Sequence, residues 1–326
     1  MAEASKHLDK LSQRLFPGAG DRAAFIAALE SPPAFAPTIL WTQPKPEDFD
    51  LPTLPPLDWQ PGFVDRLAGT GRPGQHPLHQ AGFFYCLDLS SVFAISVVQA
   101  IQVPIGVAID LCAAPGGKSL FTWGACQPQQ LLCNEVVRKR VKILISNLKR
   151  CGVTEAIALN LDPSVLAAAI PHSASLVIVD APCSGQSLLA KGQAVPGCFH
   201  PVTLNRNANR QKRILANGAQ LVQSQGYLAY MTCTYAPEEN EQVCDWFLKK
   251  FPQFAPVPVP ALQAHQSPLT VQPCYRLWPQ SGLGAGAFAM LFQCQAETPM
   301  HGLDPAFLAQ HGMTIYPHHP KLEDIS

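Results

Sequence analysis

Two of the chain's 11 cysteines stand where a sequence can place chemistry. Cys183 follows the apolar run Ser175–Asp180 in the stretch Asp180-Ala181-Pro182-Cys183-Ser184-Gly185. Cys233 follows Gly226–Thr232 in the stretch Thr232-Cys233-Thr234-Tyr235. Both runs read as strands, and neighbouring parallel strands end on one edge of a sheet, where ligands of open α/β folds bind. Cysteines of a chain like this are mostly inert core thiols. A pair at two strand ends, one of them beside a carboxylate, stands apart from that background and could supply a nucleophile.

A third strand end carries a different signal. Gly106–Leu111 runs into Cys112-Ala113-Ala114-Pro115-Gly116-Gly117-Lys118-Ser119, a turn of small residues before a helix pattern. Glycines let the backbone approach a ligand, and the helix start offers free N–H groups. The stretch is neither GxGxxG nor a full GxxxxGK[ST] loop, since Cys112 occupies the place of the first glycine, so a nucleoside triphosphatase is disfavoured. Glu135 ends the next strand, Gln130–Asn134. It has the place of a carboxylate that accepts from ribose hydroxyls, and equally that of an acid favourable to a helix N-terminus.

The elements that must hold these residues alternate. After Ala156–Asn160 and Ser175–Asp180, helix patterns at Thr203–Gln223 and Glu238–Phe251 flank Gly226–Thr232, which predicts a mostly parallel, doubly wound sheet. Cys274–Trp278 and Ala287–Cys294 close around Gly282–Gly286 and are expected to finish it as an antiparallel hairpin. Residues 1–75 form a small Pro-rich N-terminal region. There Asp21 is placed to cap a second helix, and the prolines from Ser31 to Pro61 argue against long helices and central strands. Ile39, Leu40, Trp41, Phe49, Trp59 and Phe63 nevertheless require burial. Residues 76–296 are the expected catalytic domain and 297–326 a surface tail. With 47% hydrophobic and 14% charged residues the chain is globular. Without a CxxC pair, a signal-like start or a run of 18 apolar residues, it is expected to be soluble, cytoplasmic and monomeric, with reduced thiols.

Taken together, CAAPGGKS (Cys112–Ser119), DAPCSG (Asp180–Gly185) and TCTYAPEENE (Thr232–Glu241), with HPLHQAGFFYCLDLSS (His76–Ser91) more weakly, resemble the RsmB/NOP2/NSUN family of RNA cytosine-C5 methyltransferases. The resemblance covers about residues 76–295. It implies a Rossmann-like class I methyltransferase domain, S-adenosylmethionine as donor and a cytosine of ribosomal or transfer RNA as substrate. It also implies roles. Cys112, Ala113, Ala114, Pro115, Gly116, Gly117 and Lys118 would line the cofactor, with Glu135 on its ribose and Asp162 near its adenine. Asp180 would lie between cofactor and base and activate the base, Cys233 would be the nucleophile, and Cys183 would assist release. The chain departs from the family at Leu87, where Gln is common, and after Cys183, where GQSLLAKG replaces a GxGxxR-like run and leaves Lys191 as the available basic residue.

The formal net charge of zero, from 23 basic and 23 acidic residues, does not advertise a nucleic-acid binder. Locally, Arg206, Arg210, Lys212 and Arg213 open the helix between the two cysteine motifs and are candidate phosphate contacts. Arg138, Lys139, Arg140, Lys142, Lys149 and Arg150 read as a solvated helix face. Glu238, Glu239 and Glu241 read as first-turn acids of a helix opened by Pro237, in a segment that the resemblance suggests braces the nucleophile loop. No metal site is expected, since His76, His79 and the His318-His319 pair lack further ligands. Two other function classes remain open. A non-catalytic RNA-binding assembly factor is disfavoured by the retained cysteines and Asp180. A DNA cytosine methyltransferase, which would use the Pro-Cys thiol, is disfavoured by the intact TCTYAPEENE.

Overall fold

A computed structural model of the chain describes residues 2–69, 71–297 and 301–315; His318 and His319 lie outside the described residues. The N-terminal region folds as the helices α1 (Ala2–Leu15) and α2 (Ala19–Glu30), then the strands β1 (Thr38–Trp41) and β2 (Val64–Arg66). A single turn, α3 (Pro77–Gln80), precedes β3 (Phe84–Cys86) and α4 (Leu89–Ile95). The order β2-β1-β3 is antiparallel throughout, so β1 is a central strand inside the Pro-rich stretch. It escapes the proline constraint by being short and proline-free: Thr-Ile-Leu-Trp fits between Pro37 and Pro44. Its pairing with β3 crosses residue 75.

The large sheet follows the predicted alternation. β4 (Val107–Asp110), α5 (Gly117–Cys126), β5 (Gln130–Asn134), α6 (Arg138–Arg150), β6 (Ala156–Leu159), α7 (Pro163–Ala169), β7 (Ala174–Asp180), α8 (Pro201–Leu221) and β8 (Val222–Thr232) form the parallel part. After α9 (Glu241–Lys250) come β9 (Phe254–Val257), β10 (Cys274–Leu277) and β11 (Ala287–Cys294), then α10 (Pro305–His311) and β12 (Met313–Thr314). The strand order is β10-β11-β8-β7-β4-β5-β6-β12, with β9 also on β11. β10 and β11 pair antiparallel, as the sequence predicts, and β12 adds an antiparallel strand beside β6. The order reverses between β4 and β7, which puts the switch-point crevice above Asp110 and Asp180.

Side chains alternate between two cores because a strand's period is two. Ala108, Leu131, Leu176, Ile178 and Met231 face α4, α5 and α6, while Ile109, Leu132, Val177, Val179 and Tyr230 face α8 and α9. α6 buries Val141, Leu144 and Leu148 at helical spacing and leaves Arg138, Lys139, Lys142 and Lys149 in solvent. Arg140 and Arg150 depart from that solvated face. Arg140 donates to the Ala114 carbonyl, and Arg150 donates to the carbonyls of His79 and Phe84.

Three local expectations are corrected. Asp21 does not cap α2: Gly18 holds the N-cap without a side-chain hydrogen bond. Pro237 opens only a 3-10 turn, Pro237–Glu239, and the helix proper starts at Glu241 because Asn240 breaks the backbone path at φ −116°, ψ −102°. Of the acids of that segment, Glu239 and Glu241 are buried anchors rather than surface partners of a helix dipole, as described below, while Glu238 pairs with Arg14 of α1 at 2.7 Å.

The α1–α2 hairpin buries Leu8, Leu11, Leu15, Phe16, Phe25 and Leu29 against Tyr235 and Ala285, behind the Cys233 loop. Phe25, fully buried, meets Tyr235 edge-on at 5.0 Å and Trp278 at 6.1 Å. Phe25→Ala would leave a cavity and is expected to cost about 3–5 kcal/mol. Urea unfolding measures the loss, and a change below about 1 kcal/mol would show that the hairpin is not coupled to this core.

Candidate active site

The parallel register places Asp180 opposite Met231, so the chain leaves β7 and β8 side by side. Ala181-Pro182 then carries Cys183, and Thr232 carries Cys233, to an S···S distance of 3.2 Å. Cys233 is exposed to a cavity of about 490 Å³, while Cys183 is half-buried and outside its lining. The same cavity collects Ala113, Ala114, Pro115, Gly117 and Lys118 from the glycine turn, Asp180 from β7, and Lys191. A larger cavity of about 740 Å³ lies at the other end of α5, between Trp123 and Trp41, and contains none of the strand-end residues. Chemistry rather than size therefore selects the smaller one.

The turn needs its glycines. Gly116 sits at φ 115°, a left-handed conformation that other residues rarely adopt, and caps α5. At Gly117 a Cβ would come within 2.6 Å of the Leu87 side chain and 3.1 Å of Tyr85. The turn thus packs directly on β3 and on Leu87, which follows it.

Charges in the cavity are paired. Lys118 Nζ donates to Asp180 Oδ2 at 2.8 Å. Burial alone would lower the Lys118 value, but the Asp180 charge and hydrogen bond outweigh it and hold the ammonium above its ordinary range. Cys233 is held below the usual thiol value, first by the hydrogen bond with Cys183 and further by Lys118 and Ser187, against burial and the Asp180 charge. Cys183 moves well above it, through the same Cys183–Cys233 hydrogen bond and through burial, so the pair favours ionisation at Cys233. Cys112 is also pushed well above the thiol range, chiefly by burial, which makes it a packing residue rather than a reactive one.

A buried polar frame fixes both cysteine loops. Gln186 Oε1 accepts from the N–H groups of Tyr235 (2.9 Å) and Ala236 (3.0 Å). Ser184 and Thr234 share a hydroxyl hydrogen bond of 2.7 Å, and Asn240 Nδ2 donates to the Thr234 carbonyl at 2.9 Å. Glu239 Oε2 accepts from Ser184 N–H (2.9 Å) and Gln211 (2.8 Å), tying the Cys183 loop to α8. Glu241 holds Arg276 in a two-point ion pair (2.6 and 2.5 Å), and Arg276 donates to the Tyr235 carbonyl at 3.0 Å.

The remaining predicted residues divide. Glu135, buried at the end of β5, accepts from Val137 N–H at 2.8 Å. Its Oε2 lies 2.9 Å from Arg140 in an ion pair without hydrogen-bond geometry and is otherwise a buried, unpartnered acceptor. Asp162 caps α7 through Ser164 N–H (3.0 Å) and lies 3.8 Å from Arg213. Neither Glu135 nor Asp162 lines the cavity. Arg206, Arg210 and Arg213 share one exposed face of α8 at helical spacing, whereas Lys212 turns away and lies 5.7 Å over the Trp246 ring. Lys191 pairs with Asp88 at 3.2 Å across the cavity rim. His76 is consumed locally, accepting from Leu78 N–H and pairing with Asp50 at 2.9 Å. Asp88, Arg140 and Ser187 line the cavity without having been singled out. Only Asp88 carried a sequence signal, since Asp-Leu-Ser is a helix-cap pattern, and its carboxylate accepts from Ser90 N–H at 2.9 Å.

Comparison with known proteins places the chain in a family and a fold. Residues 104–293 match the protein family described as 16S rRNA methyltransferase RsmB/F. Over 203 residues the chain is 30% identical to the ribosomal RNA small subunit methyltransferase F of Pectobacterium carotovorum, a stretch covering 61% of this chain and 42% of the relative. The chain thus spans about two fifths of the length of the curated relatives it matches. In fold it is similar to a methyltransferase homologue from Pyrococcus horikoshii, with TM-score 0.71, 20% identity and coverage of 87% and 93% of the two chains. It is also similar to NSun6 from the same organism, with TM-score 0.69, 15% identity and coverage of 90% and 98%.

Asp110, fully buried under the glycine turn, accepts from Ser119 Oγ at 2.7 Å and from Cys112 N–H at 3.2 Å. Burial outweighs both bonds and pushes its carboxyl up to about 7. Since this lies above the value of about 4 for an unfolded chain, the folded state favours the protonated acid. The associated stability is complete below about pH 4 and is lost as pH rises through about 7. Asp110→Asn is therefore expected to flatten the fall in unfolding free energy between acidic and mildly alkaline pH. An unchanged slope in urea titrations would refute the assignment.

Proposed function

The chain belongs to the 16S rRNA methyltransferase RsmB/F family, and from that premise we propose that it methylates carbon 5 of cytosine in RNA through a covalent adduct with Cys233. The observation that carries this function is the 3.2 Å approach of Cys183 and Cys233 at a cavity shared with the Lys118–Asp180 pair. The family description and the names of the curated relatives favour ribosomal over transfer RNA.

The residues present fit S-adenosylmethionine. Gly116 and Gly117 open the turn to close approach, and the buried Glu135 Oε2 lacks a donor of the kind that ribose hydroxyls provide. Cys112 to Lys118 and Glu135 would hold the cofactor, with Asp162 toward the adenine and Asp180 between cofactor and base. When bound, the cofactor supplies an electrophilic methyl group.

Carbon 5 of cytosine is too weak a nucleophile to take that methyl unaided. Addition of the Cys233 thiolate to C6 moves electron density onto N3 and C5, converting the ring to an enamine. Asp180 accepts from the exocyclic amino group and thereby orients the base. The Lys118 ammonium, 2.8 Å from Asp180, offsets the negative charge that develops on the ring. After transfer the C5 proton leaves to water, the C6–S bond breaks, and the electron pair returns to Cys233. The Cys183 S–H donates to that departing thiolate, which is how it assists release. Arg206, Arg210 and Arg213 offer phosphate contacts along one face of α8, and Lys191 offers one at the cavity rim. Reaching Cys233 requires an unstacked base, which favours a single-stranded or loop site.

Cys233→Ala is expected to abolish methylation of small-subunit rRNA by radiolabelled cofactor while leaving cofactor affinity nearly intact; appreciable residual turnover would sink the nucleophile assignment. Cys183→Ala should let a covalent protein–RNA species build up as a slowed band on a denaturing gel. Normal turnover without that band would remove Cys183 from the release step.

A further inference from the structure

We propose that Cys183 and Cys233 together form a site of reversible oxidation, at which a hydroperoxide closes the two thiols into a disulfide and takes Cys233 out of use. Closure of the pair stands on the geometry of the two loops; its effect on methylation rests on the assignment of Cys233 as nucleophile.

The two sulfurs lie 3.2 Å apart, and the chain clamps both loops on either side of them. On the strand side Ala181 N–H donates to the Met231 carbonyl at 2.9 Å. On the far side the Ser184 and Thr234 hydroxyls, each belonging to the residue after its cysteine, share a hydrogen bond of 2.7 Å. A disulfide bond is about 2.05 Å long, so joining the sulfurs asks a closure of about 1 Å, within reach of rotating the two side chains. Access differs between them. Cys233 is exposed to the cavity, while Cys183 is half-buried beside it and outside the cavity lining. A small oxidant entering the cavity therefore meets Cys233 first and leaves Cys183 as the resolving thiol. Among the described residues no other two sulfurs share a hydrogen bond. Cys133, Cys151, Cys198, Cys244, Cys274 and Cys294 are buried. Burial pushes the half-buried Cys86 and Cys126 up to about 11, so they stay protonated where Cys233 ionises more readily.

The chemistry balances with one hydroperoxide. The Cys233 thiolate attacks the terminal oxygen, an S–O bond forms, the O–O bond breaks, and the leaving oxygen takes a proton from water. Cys233 is oxidised by two electrons to the sulfenic acid, and the hydroperoxide is reduced to an alcohol or to water. Cys183 then gives its proton to solvent and its sulfur attacks that of Cys233. The S–S bond forms, the S–O bond breaks, and hydroxide leaves and is protonated to water. A dithiol reductant reverses the closure by exchange. Without Cys183 the sulfenic acid has no resolving thiol at hand, and a second hydroperoxide carries it to the irreversible sulfinic acid.

The full chain treated with hydrogen peroxide, then alkylated and digested, reports the fate of each thiol by mass spectrometry. The expected product is a peptide pair joined through Cys183 and Cys233, about 2 Da lighter than the two reduced peptides together. Methylation of rRNA should fall in proportion to the joined fraction and return to the untreated level with dithiothreitol. In Cys183→Ala, Cys233 should instead accumulate as sulfinic acid that dithiothreitol does not reverse, a readout on peptides that does not depend on that variant's turnover. Absence of the joined peptide in the parent, whether Cys233 resists oxidation or runs on to sulfinic acid, would overturn the proposal. Fully joined protein that still methylates RNA would instead overturn the nucleophile assignment and leave the oxidation site standing.

Discussion

Parallel pairing of β7 with β8 aligns Asp180 with Met231, and nearly everything at the site follows from that register. Each strand contributes a short, stiff exit, Ala181-Pro182 on one side and Thr232 on the other, and both exits deliver a cysteine to the same point. A slip of one residue would turn every side chain of β8 to the opposite face. It would exchange Tyr230 for Met231 between the two cores and carry Cys233 away from Cys183. Register is protected because both faces of β8 are buried, so no shifted pairing satisfies both cores.

Alignment of backbones does not by itself hold two sulfurs at hydrogen-bonding distance, and the buried frame around them does the remainder. Glu239, Gln211, Gln186, Asn240, Glu241 and Arg276 are all polar or charged and all nearly inaccessible. Removing such groups from water is costly, and an ion pair like Glu241–Arg276 contributes little net stability beyond well-packed apolar residues. What it contributes is geometry, since each partner is satisfied only when the Tyr235 carbonyl and the helix start are in place. Apolar packing of comparable volume would tolerate several loop positions; this network tolerates few. The α1–α2 hairpin completes the frame by closing Phe25 over Tyr235.

How much of this the sequence revealed depends on range. The alternation of strands and helices, the glycine turn and the cysteine-bearing strand ends are local patterns, and they were legible because 3.6- and 2-residue periodicities are written in consecutive residues. The β2-β1-β3 sheet was not, since its strands are short and separated by prolines, and only the pairing partner identifies them. Glu239 and Glu241 were misjudged for a related reason. An acid after Pro237 looks the same whether it faces solvent or Ser184, Gln211 and Arg276, and those partners lie 28 residues or more away in sequence. Lys212 and Arg213 show the same limit: adjacency in sequence grouped them, and the helix turn sends one to Trp246 and the other toward Asp162.

The neutral net charge has a structural counterpart in how the basic residues are used. Lys118 answers Asp180, Arg140 answers Glu135, Lys191 answers Asp88, and Arg276 answers Glu241, so much of the positive charge is matched inside the site by nearby carboxylates. A site built this way presents little net field to attract a polyanion from a distance, and steering by charge falls to the exposed face of α8. If the proposed RNA substrate is right, Arg206, Arg210 and Arg213 are the residues placed to guide its phosphate backbone, while the matched pairs inside keep their geometry. On the proposed mechanism the separation is useful, because the field at Cys233 is then set by close groups, Cys183 and Lys118 above all, and not by cations engaged in holding a backbone.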